Sequence, residues 1–412
     1  MRENFAWRVR LRAEDPPMVS FPEALRRLLE ISSLAPVESC RLEAAAGRVL
    51  RGNVVTDRPV PAFDRVMMDG FALRSEDWVA GHRSFAITGS APAGVAVTTL
   101  SEMPATCFEV MTGAPRPVGA DVIIPVEDVM EFRDGSVRFS DEASPVPGRF
   151  IHLAGSDAAE GRILLEPGVL LGSREIGIAA SCGAAWLEVS KTPNIAVVAT
   201  GDELVAVDEI PAPHQIRQSN AHSIAAALTG AGFPPQVVRV LNDDVSAARP
   251  VMEVLLASHE WLVLTGAVSK GSRDFVPALL VALGCREVFH GVAQRPGKPA
   301  GCWIGPAGQR VVALPGNPVS ALTGLHTLVF PALAVASGLP LPLRRYVVMD
   351  DRNQHLTELT RHLPVTLRAD GRAEPAATGN SGDFIGLLKS DGSITLPPSG
   401  ATSTAYPFTP WQ

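Results

Sequence analysis

With 412 residues, 46% of them hydrophobic and 19% charged, the chain has apolar content for roughly two to four cored domains and too much of it to stay disordered. Its formal net charge of −7 argues against a nucleic-acid partner, which would call for a basic stripe. Any anionic ligand must therefore meet a local cluster of cations.

The opening stretch "MRENFAWRVRLRAEDPP" scatters Arg and Glu where a signal peptide would have an apolar core, and no apolar run of roughly 18 residues is found. A cytoplasmic protein without a membrane span is expected. The first helix is predicted at "SFPEALRRLLEISSL": Ser20 and Glu23 form a capping box, Pro22 suits the first turn, and Leu25, Leu28 and Leu29 share one face. From about residue 53 to 160, short runs such as "SFAIT", "DVIIPV" and "SVRF" alternate with Gly and Pro, which predicts a small β-rich domain. A helix at "REIGIAASCG" comes next, stopped by Gly183.

Between about 193 and 336 the pattern becomes regular. "NIAVVAT", "QVVRVL", "WLVLTG" and "RVVALPG" read as strands. "SIAAALTGAG", "AARPVMEVLLASH", "DFVPALLVALG" and a segment from Pro318 read as helices. Strict alternation predicts a parallel sheet covered on both faces, with ligands at the carboxyl ends of its strands. After about Pro340, runs such as "SITLPPSG" predict a small C-terminal β domain. The five cysteines, Cys40, Cys107, Cys182, Cys285 and Cys302, are odd in number and widely spaced. That pattern favours buried free thiols over a disulfide framework or zinc site.

The loops at the strand ends share one chemical character. Gly201-Asp202-Glu203 comes after the first strand, Asn242-Asp243-Asp244 after the second, and "AVSKGSRDF", running through Asp274, after the third. One such carboxylate would simply cap the next helix. Three clustered together favour a divalent cation, and oxygen-only ligands suit magnesium. The fourth strand leads into "LPGNPVSAL", where two prolines flank Gly316 and Asn317 ahead of a helix, a ready place for an anion. In "FHGVAQRPGKPAG", Arg295 and Lys298 flank Pro296 and Gly297, either as a solvated basic turn or as an oxyanion contact; Lys270 and Arg273 would add to the latter. "PAFDRVMMDGFALR" brings Asp64 and Asp69 before Gly70, a pattern equally suited to a plain β-turn. "GAVSKGS" lacks the Walker order, and no nucleophile-elbow or zinc-protease signature is present.

Taken together, "FDRVMMDGFA", "MTGAPRPVGADVIIPVED", "GSDAAEG", "VVATGDEL", "HQIRQSN", "DDV", "GAVSKGSRDF", "RPGKP" and "LPGNPVSA" resemble, in order, the molybdopterin molybdenumtransferase family (MoeA and the gephyrin E domain). The tail, with "TGNSGDF" and "DGSITLP", matches more loosely. The resemblance implies an elongated, multidomain α/β plus β subunit that forms a homodimer. Its parts would be a molybdopterin-binding α/β domain (18–37 and 192–336), a linking domain (38–57 and 161–191), a β-rich domain (58–160) and a C-terminal β domain (337–412). It implies a magnesium-dependent reaction in which adenylylated molybdopterin and molybdate give the molybdenum cofactor and AMP. Carried over position by position, Asp69, Glu203, Asp243 and Asp274 resemble catalytic residues, with Glu203, Asp243 and Asp274 as magnesium ligands. Thr112, Asp157, Arg295, Lys298, Pro299, Ser320, Arg361 and Ser381 resemble substrate-binding positions, and Asp69, Thr112 and Asp157 would reach the partner subunit's cleft. A molybdopterin adenylyltransferase, molybdoenzymes or their chaperones would be further partners.

The sequence departs from the family pattern at five places. Ala267 replaces a second glycine, Gly291 stands where many members have lysine, Val66 and Met67 replace small residues, and His152 stands where arginine is frequent. These departures keep two other readings in play: a molybdopterin-binding carrier without catalysis, and a molybdopterin adenylyltransferase.

Overall fold

The structure, a computed structural model, describes residues 18–268, 275–341, 344–349, 358–398 and 404–411. Its first helix, Phe21–Ile31, starts where the sequence places a cap: Ser20 Oγ accepts the Glu23 N–H at 3.3 Å. Glu23 itself turns to Arg26 and Arg27, at 2.7 and 2.6 Å. Leu28 is fully buried, and Leu25 and Leu29 pack beside it.

That helix covers one face of a six-stranded sheet. The strand order is Val237–Leu241, Ile195–Thr200, Trp261–Thr265, Arg310–Leu314, Gly301–Ile304, Arg286–His290. Side-chain alternation divides each central strand between two cores. Ile195, Val197, Trp261, Val263, Val312 and Leu314 join the core under the first helix; Ala196, Val198, Leu262, Leu264, Val311 and Ala313 join the opposite one. Burial on both faces is why these strands read as unbroken apolar runs.

The first four strands are parallel, as the alternation predicts. The last two are not: Arg286–His290 and Gly301–Ile304 pair antiparallel, and the latter pairs antiparallel with Arg310–Leu314. The sequence pattern places a basic turn here and no strands. The segment leaves the sheet and returns, with the strand Val292–Arg295 between the two; Arg286–His290 follows the helix Val276–Ala282, but no helix separates it from Gly301–Ile304, or Gly301–Ile304 from Arg310–Leu314.

Val292–Arg295 belongs to another sheet. It lies between Val19–Ser20 and Thr360–Leu367, and that sheet continues through Gly392–Leu396, Ala405–Pro410 and Arg345–Val348. The C-terminal strands therefore hydrogen-bond directly to a strand that leads into the "RPGKP" turn.

A separate six-stranded sheet runs Val122–Pro125, Gly70–Leu73, Thr106–Val110, Ser84–Ala91, Ser136–Phe139, Val129–Arg133. Phe71, Phe85, Trp78 and Phe139 fill one face, and Ala72, Val110 and Ile123 the other. A further core gathers Leu50, Leu171, Leu187 and Val189 around the helix Ser173–Ser181. Gly183, at φ +73°, takes the left-handed position that ends this helix, as the sequence predicts.

Of the five free cysteines four are buried, and burial pushes the Cys107 thiol up to about 12, in keeping with inert packing residues. One sequence expectation fails. The consecutive helical segment Pro318–Ala336 is 19 residues long and apolar enough to cross a membrane by length and composition. Leu325, Leu328, Val329, Ala332 and Leu333 are fully buried against the sheet; its apolar surface serves the core.

Candidate functional site

A cleft of about 620 Å³ opens at the carboxyl ends of the parallel strands. Its walls are the segments after Ile195–Thr200, Val237–Leu241, Trp261–Thr265 and Arg310–Leu314, together with Pro299 and Gly382. Gly266 sets the close approach of the first and third. Its φ is +93°, and a β-carbon there would lie 2.3 Å from the Thr200 carbonyl oxygen, so only glycine fits.

Glu203 and Asp243 both line the cleft. Asp202 ties their loops together by accepting the Asp243 N–H at 2.9 Å. The third acidic position, Asp274, lies outside the described residues, as do Lys270 and Arg273. Among the described residues, no group of three or more His, Cys, Asp or Glu side chains forms a ready-made metal cage. Two carboxylates on one wall, with no thiolate or imidazole beside them among the lining residues, are a donor set that fits a magnesium ion completing its shell with water and phosphate oxygens.

The "LPGNP" turn is held by side chains that the sequence pattern does not assign to it. Asn220 Nδ2 donates to Gly316 O at 2.7 Å and to Thr265 Oγ1 at 3.1 Å. Thr265 Oγ1 in turn donates to Pro315 O at 3.0 Å. The turn presents Gly316, Asn317 and Pro318 to the cleft, while Ser320, 3% exposed, is packed behind it and is not part of the wall.

Two further cleft residues lie within the family motifs, although the sequence does not single them out as site residues. Gln218 is 3% exposed, and neither side-chain polar atom has a hydrogen-bond partner among the described residues; the same holds for Thr200 Oγ1. Buried polar groups left unpaired cost about 1–3 kcal/mol, so their presence on a cleft wall points to a polar ligand edge. Their sequence signal is motif membership: Gln218 stands in "HQIRQSN", ahead of the helix Asn220–Gly230, and Thr200 in "VVATGDEL".

Among the described residues, the predicted basic positions do not line the cleft, whose wall carries Arg217 instead. Arg295 and Lys298 are exposed, and of the "RPGKP" turn only Pro299 reaches the wall. Arg295 pairs with Arg361 in the parallel register of their strands, which sets two guanidinium-bearing residues side by side. Ser381 approaches from the C-terminal region: its Oγ is 2.9 Å from Asn317 Nδ2, and its carbonyl accepts the Val319 N–H at 3.2 Å.

Asp69, Thr112 and Asp157 form a second group, in the β-rich region and off the cleft wall. Asp69 Oδ1 accepts both the Thr112 N–H at 2.6 Å and the Thr112 hydroxyl at 2.7 Å; these bonds hold its carboxyl below the usual carboxylate range. Asp157 Oδ1 lies 2.8 Å from His152 Nε2, and His152 Nδ1 lies 3.2 Å from an Arg65 nitrogen. The pairing of Arg65–Val66 with Ile151–His152, and the Gly113 N–H on Val66 O, bring these segments together. Asp64 is a structural partner here, receiving Arg116 at 2.7 Å and the Ala154 N–H at 2.9 Å.

Residues 19–183 match the family described as the MoeA N-terminal region (domain I and II), and residues 196–335 match the probable molybdopterin binding domain. The chain is 34% identical over 378 residues to a molybdopterin molybdenumtransferase of Synechocystis, covering 90% of this chain and 94% of that one. The chain belongs to the MoeA family. It is also 34% identical over 337 residues to molybdopterin molybdenumtransferase 2 of Mycobacterium tuberculosis, covering 79% of this chain and 82% of that one. The molybdopterin biosynthesis MoeA protein of Pyrococcus horikoshii has the same fold, with a TM-score of 0.76 at 25% identity over 96% of this chain and all of that one.

Two departures from the family pattern acquire a backbone meaning. Gly291 is buried at φ +89°, a conformation that a lysine would hold only under strain. Ala267, on the cleft wall, has φ +47° and occupies the left-handed region without the freedom of glycine.

Proposed function

We propose that this MoeA-family enzyme inserts molybdenum into molybdopterin, taking adenylylated molybdopterin and molybdate to the molybdenum cofactor and AMP with magnesium, in the cytoplasm. The observation that carries the reading is the cleft itself: two carboxylates, two unpaired buried polar side chains and Arg217 line one cleft at the carboxyl edge of a parallel sheet, which the exposed cations of the "RPGKP" turn adjoin through Pro299. A substrate with a polar heterocycle, a pyrophosphate bridge and an incoming oxyanion needs all three.

Glu203 and Asp243 would hold the magnesium ion, with Asp274 as a third candidate. When bound, the ion neutralises phosphate charge and polarises the phosphoryl group. Gln218 and Thr200 bind the polar edge of the substrate, regaining hydrogen bonds they lack in the free protein. Arg295, Lys298 and Arg361 attract and orient the phosphates or molybdate, Arg as a bidentate partner and Lys as a point charge.

Asp69, Thr112 and Asp157 do not reach this cleft within the chain, so a homodimer in which they complete the partner's cleft is part of the proposal. A molybdopterin adenylyltransferase would supply the substrate, and molybdoenzymes or their chaperones would take the product; neither a nucleic acid nor a membrane is involved.

The test is AMP release by the purified protein from adenylylated molybdopterin, with and without molybdate and magnesium. Release that needs both, and that falls at least a hundredfold, on the order of the effect of losing one transition-state contact, in Asp243→Asn, supports the transferase. Tight substrate binding without AMP release would replace this reading with a carrier.

A further inference from the structure

The turn that carries Arg295 and Lys298 is fixed from behind by a buried side-chain chain. Gln294 is fully buried, and its Nε2 donates to Gly297 O at 3.2 Å. Its Oε1 lies 3.2 Å from His362 Nε2, and His362 Nδ1 lies 3.1 Å from Thr395 Oγ1. His362 is 2% exposed and meets the Phe21 ring edge-on at 4.6 Å.

The polarity of the chain is set by its neighbours. Gly297 O only accepts, so the Gln294 amide must point its NH2 there and its oxygen at the histidine. Nε2 of His362 must then carry the proton, leaving Nδ1 to accept from the Thr395 hydroxyl. Burial pushes the His362 ring down to about 4, so near neutral pH it keeps the single proton this arrangement needs. Every bond donates toward the turn.

Strand register explains how the C-terminal sheet reaches this point. Gln294 pairs with Thr360 in the parallel ladder, and His362, two residues on, lies on the same face. Gly297 has φ +93°, and a β-carbon there would lie 2.8 Å from Gln294 Nε2; the turn is seated directly on this amide.

We propose that Gln294 and His362 are positioning residues: they hold residues 295–299 so that Arg295 and Lys298 face the anionic part of the substrate, making the C-terminal sheet a structural component of the cleft. This rests on the reading of that turn as an anion site.

The test compares His362→Phe, which keeps an aromatic ring against Phe21 but loses the donor, with His362→Gln, which restores an N–H near the Nε2 position. AMP release from adenylylated molybdopterin is the readout. His362→Phe should raise KM roughly tenfold, as for loss of a group that supports a ligand-binding residue, with kcat within about twofold. His362→Gln should return KM toward the parent value. In a Lys298→Ala background His362→Phe should add little, because both changes act on one turn.

Amide exchange across residues 292–300 of the substrate-free protein should be faster in His362→Phe and near normal in His362→Gln. Gln294→Leu supplies the same comparison should His362→Phe fold poorly. If Lys298→Ala raises KM while neither His362→Phe nor Gln294→Leu does, the positioning role is wrong and the anion site stands. If Lys298→Ala leaves KM unchanged, the anion site itself is wrong and the role falls with it. Equal loss of kcat and melting temperature in His362→Phe and His362→Gln would reduce the histidine to a packing residue.

Discussion

Asn317 and Ser381 join two parts of the chain across the rim of the cleft, Nδ2 to Oγ at 2.9 Å. The backbone bond from Val319 N–H to Ser381 O runs beside it. Ser381→Ala keeps the backbone bond and removes the hydroxyl. A loss of about 1 kcal/mol is expected, with a rise in KM larger than the fall in kcat; melting curves and steady-state AMP release measure the two.

Gln218 places function against stability. Replacing it by Leu removes two buried, unpaired polar atoms, so the free protein should melt at the same temperature or higher. The same change should raise KM for adenylylated molybdopterin by about tenfold or more, since a site built to hydrogen-bond its ligand loses its partner. A destabilised Gln218→Leu with unchanged KM would contradict the role given to the side chain.

Gly266 and Ala267 are neighbours with opposite expectations. Gly266→Ala drives a β-carbon into the Thr200 carbonyl, which should cost at least about 2 kcal/mol and cripple turnover. Ala267→Gly relieves a left-handed alanine and should be stabilising or neutral by up to about 1 kcal/mol. Denaturant unfolding of the two variants against the parent decides both signs.

Acid should weaken the fold through two histidines. Burial pushes both His326 and His362 down to about 4 from an ordinary 6.5. Their folded values are depressed, so their contribution is full above about 6.5 and is lost as pH falls toward about 4, where the unfolded chain binds protons that the folded chain refuses. Each interval corresponds to on the order of 3 kcal/mol. Unfolding midpoints measured from pH 7 to pH 4 should drop, and His326→Phe should flatten the drop.

The separation of Asp69 and Asp157 from the cleft makes complementation the sharpest test of a shared site. Asp69→Asn and Asp243→Asn should each be nearly inactive as purified variants. Unfolded together and refolded as a random mixture, they should recover about a quarter of parent activity, from mixed dimers with one intact cleft. No recovery, with dimers present by light scattering, would place both residues in one subunit's chemistry.

The parallel strands, the helix caps at Ser20 and Gly183, and the acidic loops at Glu203 and Asp243 are legible without the fold, because each is written in contiguous residues as periodicity, capping chemistry or a turn. The motif order also led to the family. Tertiary structure alone decided what those residues face. Gln218 and Asn220 stand in the "HQIRQSN" motif with no assigned role until the Thr200 and Pro315 segments close around them, and the turn at Arg295 looks like a solvated corner until Gln294 and His362 meet beneath it. Ser320 stands in the motif yet is buried, while Asn317 and Pro318 take the wall. The antiparallel strands Arg286–His290 and Gly301–Ile304 have no helix between them, unlike the parallel strands whose alternation is legible, and the apolar run from Pro318 found its partner surface only in the assembled core. Burial and hydrogen-bond satisfaction are properties of pairs of segments; a linear pattern carries only one member of each pair.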